Sequence, residues 1–207
     1  MAEVRLQAPG SRTRQRRVAL ALAWATIAWN SIEAVVAIAS GRAADSIALV
    51  GFGLNSIVEV GSAVVVIWQF TGPDHEREER ALRLIAISFF AFATYVAGRA
   101  LWDLTSATEP AESTIGIALA IASLIVMPAL ALTKRRLGRR MGSRTVVADS
   151  SQTLRCSYLS VVLLVGLVAN ATLGWWWADP IAALVIAALA AREGREAWRG
   201  ETCCETC

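Results

Sequence analysis

Only one histidine stands in the 207 residues, His75, and it falls in a polar loop with no serine or cysteine arranged as a nucleophile beside its base. That scarcity argues against an enzyme of any class. Exact repeats and low-complexity linkers are absent too, and no polar stretch is long enough for a sizeable soluble domain. The chain reads as one domain. Cysteine is sparse: three of the four crowd into the last five residues and the fourth is Cys156. No reactive pair marks a thiol redox partner.

What is abundant is grease. Hydrophobic residues make up 56% of the chain, mean hydropathy is +0.50, and there are eight Trp, a composition far from that of a soluble protein. Windows long enough to cross about 30 Å of hydrocarbon predict six spans, at 17–40, 47–71, 81–104, 114–133, 153–174 and 178–198. They are continuous apolar runs and not alternating ten-residue segments, so the expected class is all-α with six transmembrane helices. A basic segment (1–16) precedes the six-helix domain (17–198), and a short Cys-rich tail (199–207) follows it. A secretory signal ending near Ala37-Ile38-Ala39-Ser40 is the competing reading of the first span, but the run is too long for that and holds Asn30 and Glu33.

Basic residues cluster before the first span, at Arg77 and Arg80, and from Lys134 to Arg144. The positive-inside rule then predicts both termini in the cytoplasm, with loops 41–46, 105–113 and 175–177 outside. Trp102 and Trp175-Trp176-Trp177 fall at the outer interface, and Trp68 and Trp198 towards the inner one. The net charge of +3 is accounted for by these loops and calls for no nucleic acid.

Against this background two polar insertions stand out, Asn55-Ser56-Ile57-Val58-Glu59 and Gln152-Thr153-Leu154-Arg155-Cys156. An ionisable or amide side chain inside a span is a functional candidate because it is costly unless it finds partners or lines a polar path. In each insertion the outer members are spaced i, i+4 and share a helix face. Glu59, Cys156, Asn55 and Gln152 on facing helices would make one four-coordinate metal cage. Asn30 reaches a similar depth, about 20 Å into the first span. Asp149, Gln152 and Cys156 recur at i, i+3 and i+7, which predicts that the fifth helix continues inward through Val146-Val147-Ala148 and carries Cys156 to about 15 Å depth. Arg155 is one residue, about 100°, off that face and is expected to point to the inner interface.

In these stretches the chain resembles the cation diffusion facilitator family of divalent-metal exporters. That family carries D-S-x-x-D on its second helix and A-D-x-x-H-x-x-x-D on its fifth, where this sequence has Asn55-Ser56-Ile57-Val58-Glu59 and Ala148 through Cys156. Further matches are Gly41 with Ser46-Ile47-Ala48-Leu49, and Ala178-Asp179-Pro180-Ile181-Ala182-Ala183-Leu184. Spacing is kept and identities are not. The resemblance implies a metal site at Asn55, Glu59, Gln152 and Cys156, alternating access, proton antiport, a homodimer and an inner or plasma membrane location. It implies a transported divalent ion and no permanently bound cofactor. A thiolate in place of a carboxylate suits zinc or cadmium, while the two amides are weak donors. If the usual site has degenerated, the ligands include Asn30, Glu33 or Asp149, which otherwise line an accessory ion or proton path. The resembled exporters carry a cytoplasmic domain after the sixth helix, and this chain is expected to work without one.

Cys203, Cys204 and Cys207 are expected in the reducing cytoplasm, unbridged, either capturing a soft ion for the membrane site or serving as acylation targets. His75, within the acidic loop from Asp74 to Glu79, could bind zinc weakly. Arg99 and Asp103 are expected to pair. The rival to an exporter is a non-transporting membrane metal sensor or scaffold that acts through the Cys tail.

Overall fold

The computed structural model describes residues 9–69 and 75–199. Six helices run along the chain, α1 (Pro9–Ala43), α2 (Ile47–Gln69), α3 (His75–Ser106), α4 (Thr114–Met141), α5 (Arg144–Leu173) and α6 (Ala178–Trp198). Several are longer than the hydropathy windows. The basic segment expected to precede the first span is helical from Pro9, α3 begins at His75, and α5 begins at Arg144. Charged turns continue a helix past its apolar run because backbone hydrogen bonding does not depend on side-chain hydropathy, and proline is well placed in a first turn.

Local chemistry explains where the helices stop and start. Gly142 closes α4 in the left-handed conformation at φ 65°, and Ser143 immediately opens α5 by accepting from Val146 N. Two residues therefore suffice to reverse the chain. Ser46 opens α2 by accepting from Leu49 N at 3.1 Å, and Ser113 opens α4 by accepting from Gly116 N at 3.1 Å. Asp45, at φ 50°, takes the turn conformation that short polar side chains tolerate.

The closest partnerships are α1 with α2, α4 with α5 and α3 with α6. Contacts of α1 with α4 and of α2 with α5 join the first two pairs into a four-helix unit, and α2 and α5 also reach α6. Glycines permit the tight approaches. A Cβ at Gly53 would lie 2.7 Å from Ile38 Cγ1, and one at Gly166 would lie 2.9 Å from Ala182 Cβ. Gly51 also packs closely, against Val96, whereas Gly61 faces open space.

Burial is inverted relative to a soluble protein. Large apolar side chains such as Trp24, Ile57, Tyr95, Ile125, Val165 and Ile181 are exposed, one from each helix, while Asn30, Glu33, Asn55, Glu59, Lys134 and Asp149 are buried. Such a surface needs hydrocarbon around it. Among the described residues, stretches 14–43, 114–141 and 149–173 are long and apolar enough to cross a membrane on length and hydropathy alone, and α2 contributes a shorter apolar stretch, Ile47–Gly61. The chain is an all-α membrane protein of six helices.

Candidate functional site

The polar interior belongs to α1, α2, α4 and α5. On α2 the i, i+4 spacing places Asn55 and Glu59 on the buried face, with Ser56 beside them. Cys156 on α5 is buried and free. Asn55 Nδ2 donates towards Cys156 Sγ at 3.8 Å, and Glu59 lies one turn along the same buried face of α2. Glu59 Oε2 has no hydrogen-bond partner among the described residues. An amide, a carboxyl and a thiol from two helices thus converge, as the motif spacing predicts.

Gln152 is only half-buried, one turn from Cys156 and less fully turned inward. Among the described residues, no three His, Cys, Asp or Glu side chains are grouped to hold a metal ion. The α2–α5 cluster therefore draws on two such residues, Glu59 and Cys156, together with amides. The Cys203, Cys204 and Cys207 tail lies outside the described residues, and His75 is placed only as the first residue of α3.

Asp149 is committed elsewhere. Its Oδ2 lies 2.7 Å from Lys134 Nζ, and the same ammonium donates to Thr153 Oγ1 at 3.0 Å. Lys134 is 1% exposed. Sequence reading counts it among the basic residues that mark a loop. In the structure it is enclosed, because α4 continues to Met141 and packs along α5. An isolated buried ammonium is prohibitive, so the Asp149 carboxylate and the Thr153 hydroxyl are what allow Lys134 to sit there. Nothing local in the sequence marks this pair, whose members are 15 positions apart and on different helices.

Glu33 on α1, 0% exposed, also has partners that sequence reading missed. Ser56 Oγ donates to its Oε2 at 2.8 Å, and Trp29 Nε1 donates to its Oε1 at 3.2 Å. Ser160 on α5 donates to Ser123 at 3.0 Å. Asn30 Nδ2 donates to the Thr26 carbonyl at 3.0 Å, while its Oδ1 has no partner among the described residues. Serines are common in membrane helices as local backbone-bonders, so only Ser56, inside the family-like motif, carried a signal.

The expected Arg99 pairing is present, at 3.5 Å from Asp103. Arg155 does not share the Cys156 face, as expected, but its partners are on α6, Glu196 at 3.0 Å and Glu193 at 3.8 Å. The stretches opening α2 and α6 prove to be a single device. Ser46 Oγ donates to Asp179 Oδ1 at 2.5 Å, and Ala48 N donates to Asp179 Oδ2 at 3.2 Å. A carboxylate from the start of α6 thus satisfies the open amides at the N-terminus of α2 and complements its dipole.

Comparison with known proteins agrees with this architecture. Transmembrane protein 163 of Xenopus laevis is 25% identical over 150 residues, covering 70% of this chain and 53% of the relative. The uncharacterized transporter sll1263 of Synechocystis is 29% identical over 150 residues, covering 67% and 48%, and the cation-efflux pump FieF of Shewanella oneidensis is 24% identical over 155 residues, covering 72% and 52%. The chain spans about half the length of the curated relatives it matches. Members of the cation efflux family are transporters and not enzymes. The family's description, "Cation efflux transmembrane domain", matches residues 23–199, so this chain belongs to the cation efflux family.

Proposed function

We propose that this chain exports a divalent transition metal, zinc or cadmium by preference, through alternating access coupled to proton antiport. The observation that carries the reading is the meeting of Asn55, Glu59 and Cys156 across α2 and α5, buried in a domain of this family. Glu59 and a Cys156 thiolate would neutralise one divalent ion. The soft sulfur would favour thiophilic metals, with Asn55 and Gln152 as weaker ligands or orienters. Metal ligands shed protons to bind, so an empty site refills with protons as the ion leaves, and this exchange couples the two flows. Asp149, held by Lys134, supports α5 in this scheme and is not a ligand. Asn30 and Glu33 lie on the accessory route.

The proposed orientation has both termini in the cytoplasm of an inner or plasma membrane, and the functional unit is a homodimer. Cys203, Cys204 and Cys207, with His75, would capture metal on the cytoplasmic side. Removing residues after Glu201 should then slow uptake at low metal and hardly matter at saturation.

The deciding experiment is flux into proteoliposomes with zinc, cadmium, cobalt, nickel and manganese, with and without a pH gradient. Saturable flux of the thiophilic ions that follows the gradient is expected. Glu59→Gln and Cys156→Ser should each abolish it while the protein still elutes as folded. Unchanged flux in both variants would end the ligand assignment. No flux of any ion through folded protein would replace the exporter with a membrane metal sensor or scaffold.

A further inference from the structure

The side of the α1–α2 seam that faces away from the polar interior holds a groove of about 520 Å³, a size typical of small-molecule sites. Ser31, Val35, Ile38 and Arg42 line it along one face of α1, and Ile57 and Val60 form the wall on α2. Val35 is 70% exposed and Ile57 50%, so the groove opens to the surroundings of the bundle. Small side chains at Ala34 and Ala39 complete the α1 lining and give it depth. The lining is hydrocarbon except for the Ser31 hydroxyl at one end and the Arg42 guanidinium at the other.

Length and charge together identify the occupant. Ser31 and Arg42 are eleven residues apart, about 16 Å along α1. On α2, Val60 lies thirteen residues from the start of the helix at Ile47, about 20 Å, so both walls run from the loop end of the seam to a similar depth. That depth is close to half of a hydrocarbon core about 30 Å thick, which is one leaflet and the reach of one acyl chain. Apolar lining gives no preference over bulk lipid inside a membrane, so any selectivity comes from shape and from Arg42. Arg42 stands exposed in the last turn of α1, and among the described residues no carboxylate pairs with it. Its guanidinium is placed where a lipid with its chain in the groove carries its phosphate, and arginine forks onto phosphate through two hydrogen bonds.

A second copy of the chain fits the groove less well. A two-fold axis along the membrane normal brings each residue to its own copy at the same depth. Groove would then face groove, leaving a void, and Arg42 would face Arg42. We propose that this groove is a phospholipid site, with one acyl chain lying between α1 and α2 and the phosphate held by Arg42. The binding does not rest on the transport reading.

The test is native mass spectrometry of the full chain in detergent, titrated with dioleoyl phosphatidylglycerol and, as a probe of the same chains without phosphate, dioleoylglycerol. Saturable retention of one phosphatidylglycerol per chain is expected, with dioleoylglycerol weaker by at least about tenfold because it lacks the charge-assisted contact. Arg42→Gln should erase the difference between the two lipids. Ala39→Trp, at an exposed position of the lining, should fill the groove and block both. Arg136→Gln, which removes an exposed cation from α4, should leave binding unchanged. Each variant is compared by helicity and elution volume, and if Ala39→Trp fails to fold, Ser31→Phe, also at an exposed lining position, takes its place. No saturable binding of phosphatidylglycerol to folded protein, equal retention of the two lipids by the unaltered chain, or equal loss in Arg42→Gln and Arg136→Gln would each overturn the site. A dimer that the groove-filling variant dissociates while lipid retention is unchanged would overturn it too, and would make the groove an interface between copies. A failure of metal flux would leave this result standing, and a failure of lipid binding would leave the exporter standing.

Discussion

The four-helix unit of α1, α2, α4 and α5 and the α3–α6 pair solve the same packing problem with opposite chemistry. Between α3 and α6 the buried residues are largely apolar, with Phe89, Phe92 and Val96 on one helix and Ala183, Ala187 and Ala190 on the other. Large rings against small side chains let two helices approach closely by van der Waals contact, and need no polar group. In the four-helix unit the interior instead holds Glu33, Asn55, Glu59, Lys134, Asp149 and four or more hydroxyls. Such groups are costly without partners, and Glu33, Asn55, Lys134 and Asp149 find theirs on another helix, so this half depends on specific pairs where the other depends on shape. The difference teaches where to look for chemistry: in the half that accepts the cost of buried polarity.

The sharpest way to break that contrast is Lys134→Met. Leaving Asp149 buried without its cation should cost about 3–5 kcal/mol, read by denaturant titration in detergent, and adding Asp149→Leu should recover most of the loss. If the double variant is no better than the single one, the pair is not the dependence described. In the apolar half the corresponding perturbation is steric. A Cβ at Gly194 would lie 3.0 Å from Phe89 Cβ, so Gly194→Leu should cost about 1–3 kcal/mol by overpacking. Thermal unfolding should show this loss, and surviving folded protein should keep the Lys134–Asp149 dependence; a change in that dependence would mean the halves are coupled.

Smaller effects sharpen the picture at its borders. Ser46→Ala removes both the α2 cap and the bond to Asp179, and should lower stability by about 1 kcal/mol. A loss several times larger would make the α2–α6 junction a principal closure of the fold. Arg155→Gln should change stability by no more than about 1 kcal/mol, because its partners on α6 are reached from a half-exposed position. A large loss there would show that the border between the halves is an ionic seam.

How much of the site was legible depended on whether its signal lay along one helix. The Asn55–Glu59 face, the extension of α5 past Asp149 and the turn of Arg155 off the Cys156 face all follow from 3.6-residue periodicity, and all are present. Lys134 was misread as a loop marker because hydropathy scores a lysine by type, and burial beside Asp149 depends on a neighbouring helix. Ser123 and Ser160 went unnoticed for the same reason: a serine 37 positions from its partner looks like any other serine in an apolar run.

By itself the sequence determined that this chain is a six-helix membrane protein, which of its helices carry polar faces, and to which family it is similar. Those properties rest on composition, periodicity and motif spacing, all of which are local. Tertiary structure alone decided which polar groups meet. Asp149 goes to Lys134, Glu33 takes the Ser56 hydroxyl from α2, Gln152 stays half-buried, and Asp179 caps α2. The physical reason is that a buried polar group is satisfied through space, by the rotation and approach of whole helices, and a single strand of residues does not contain that information.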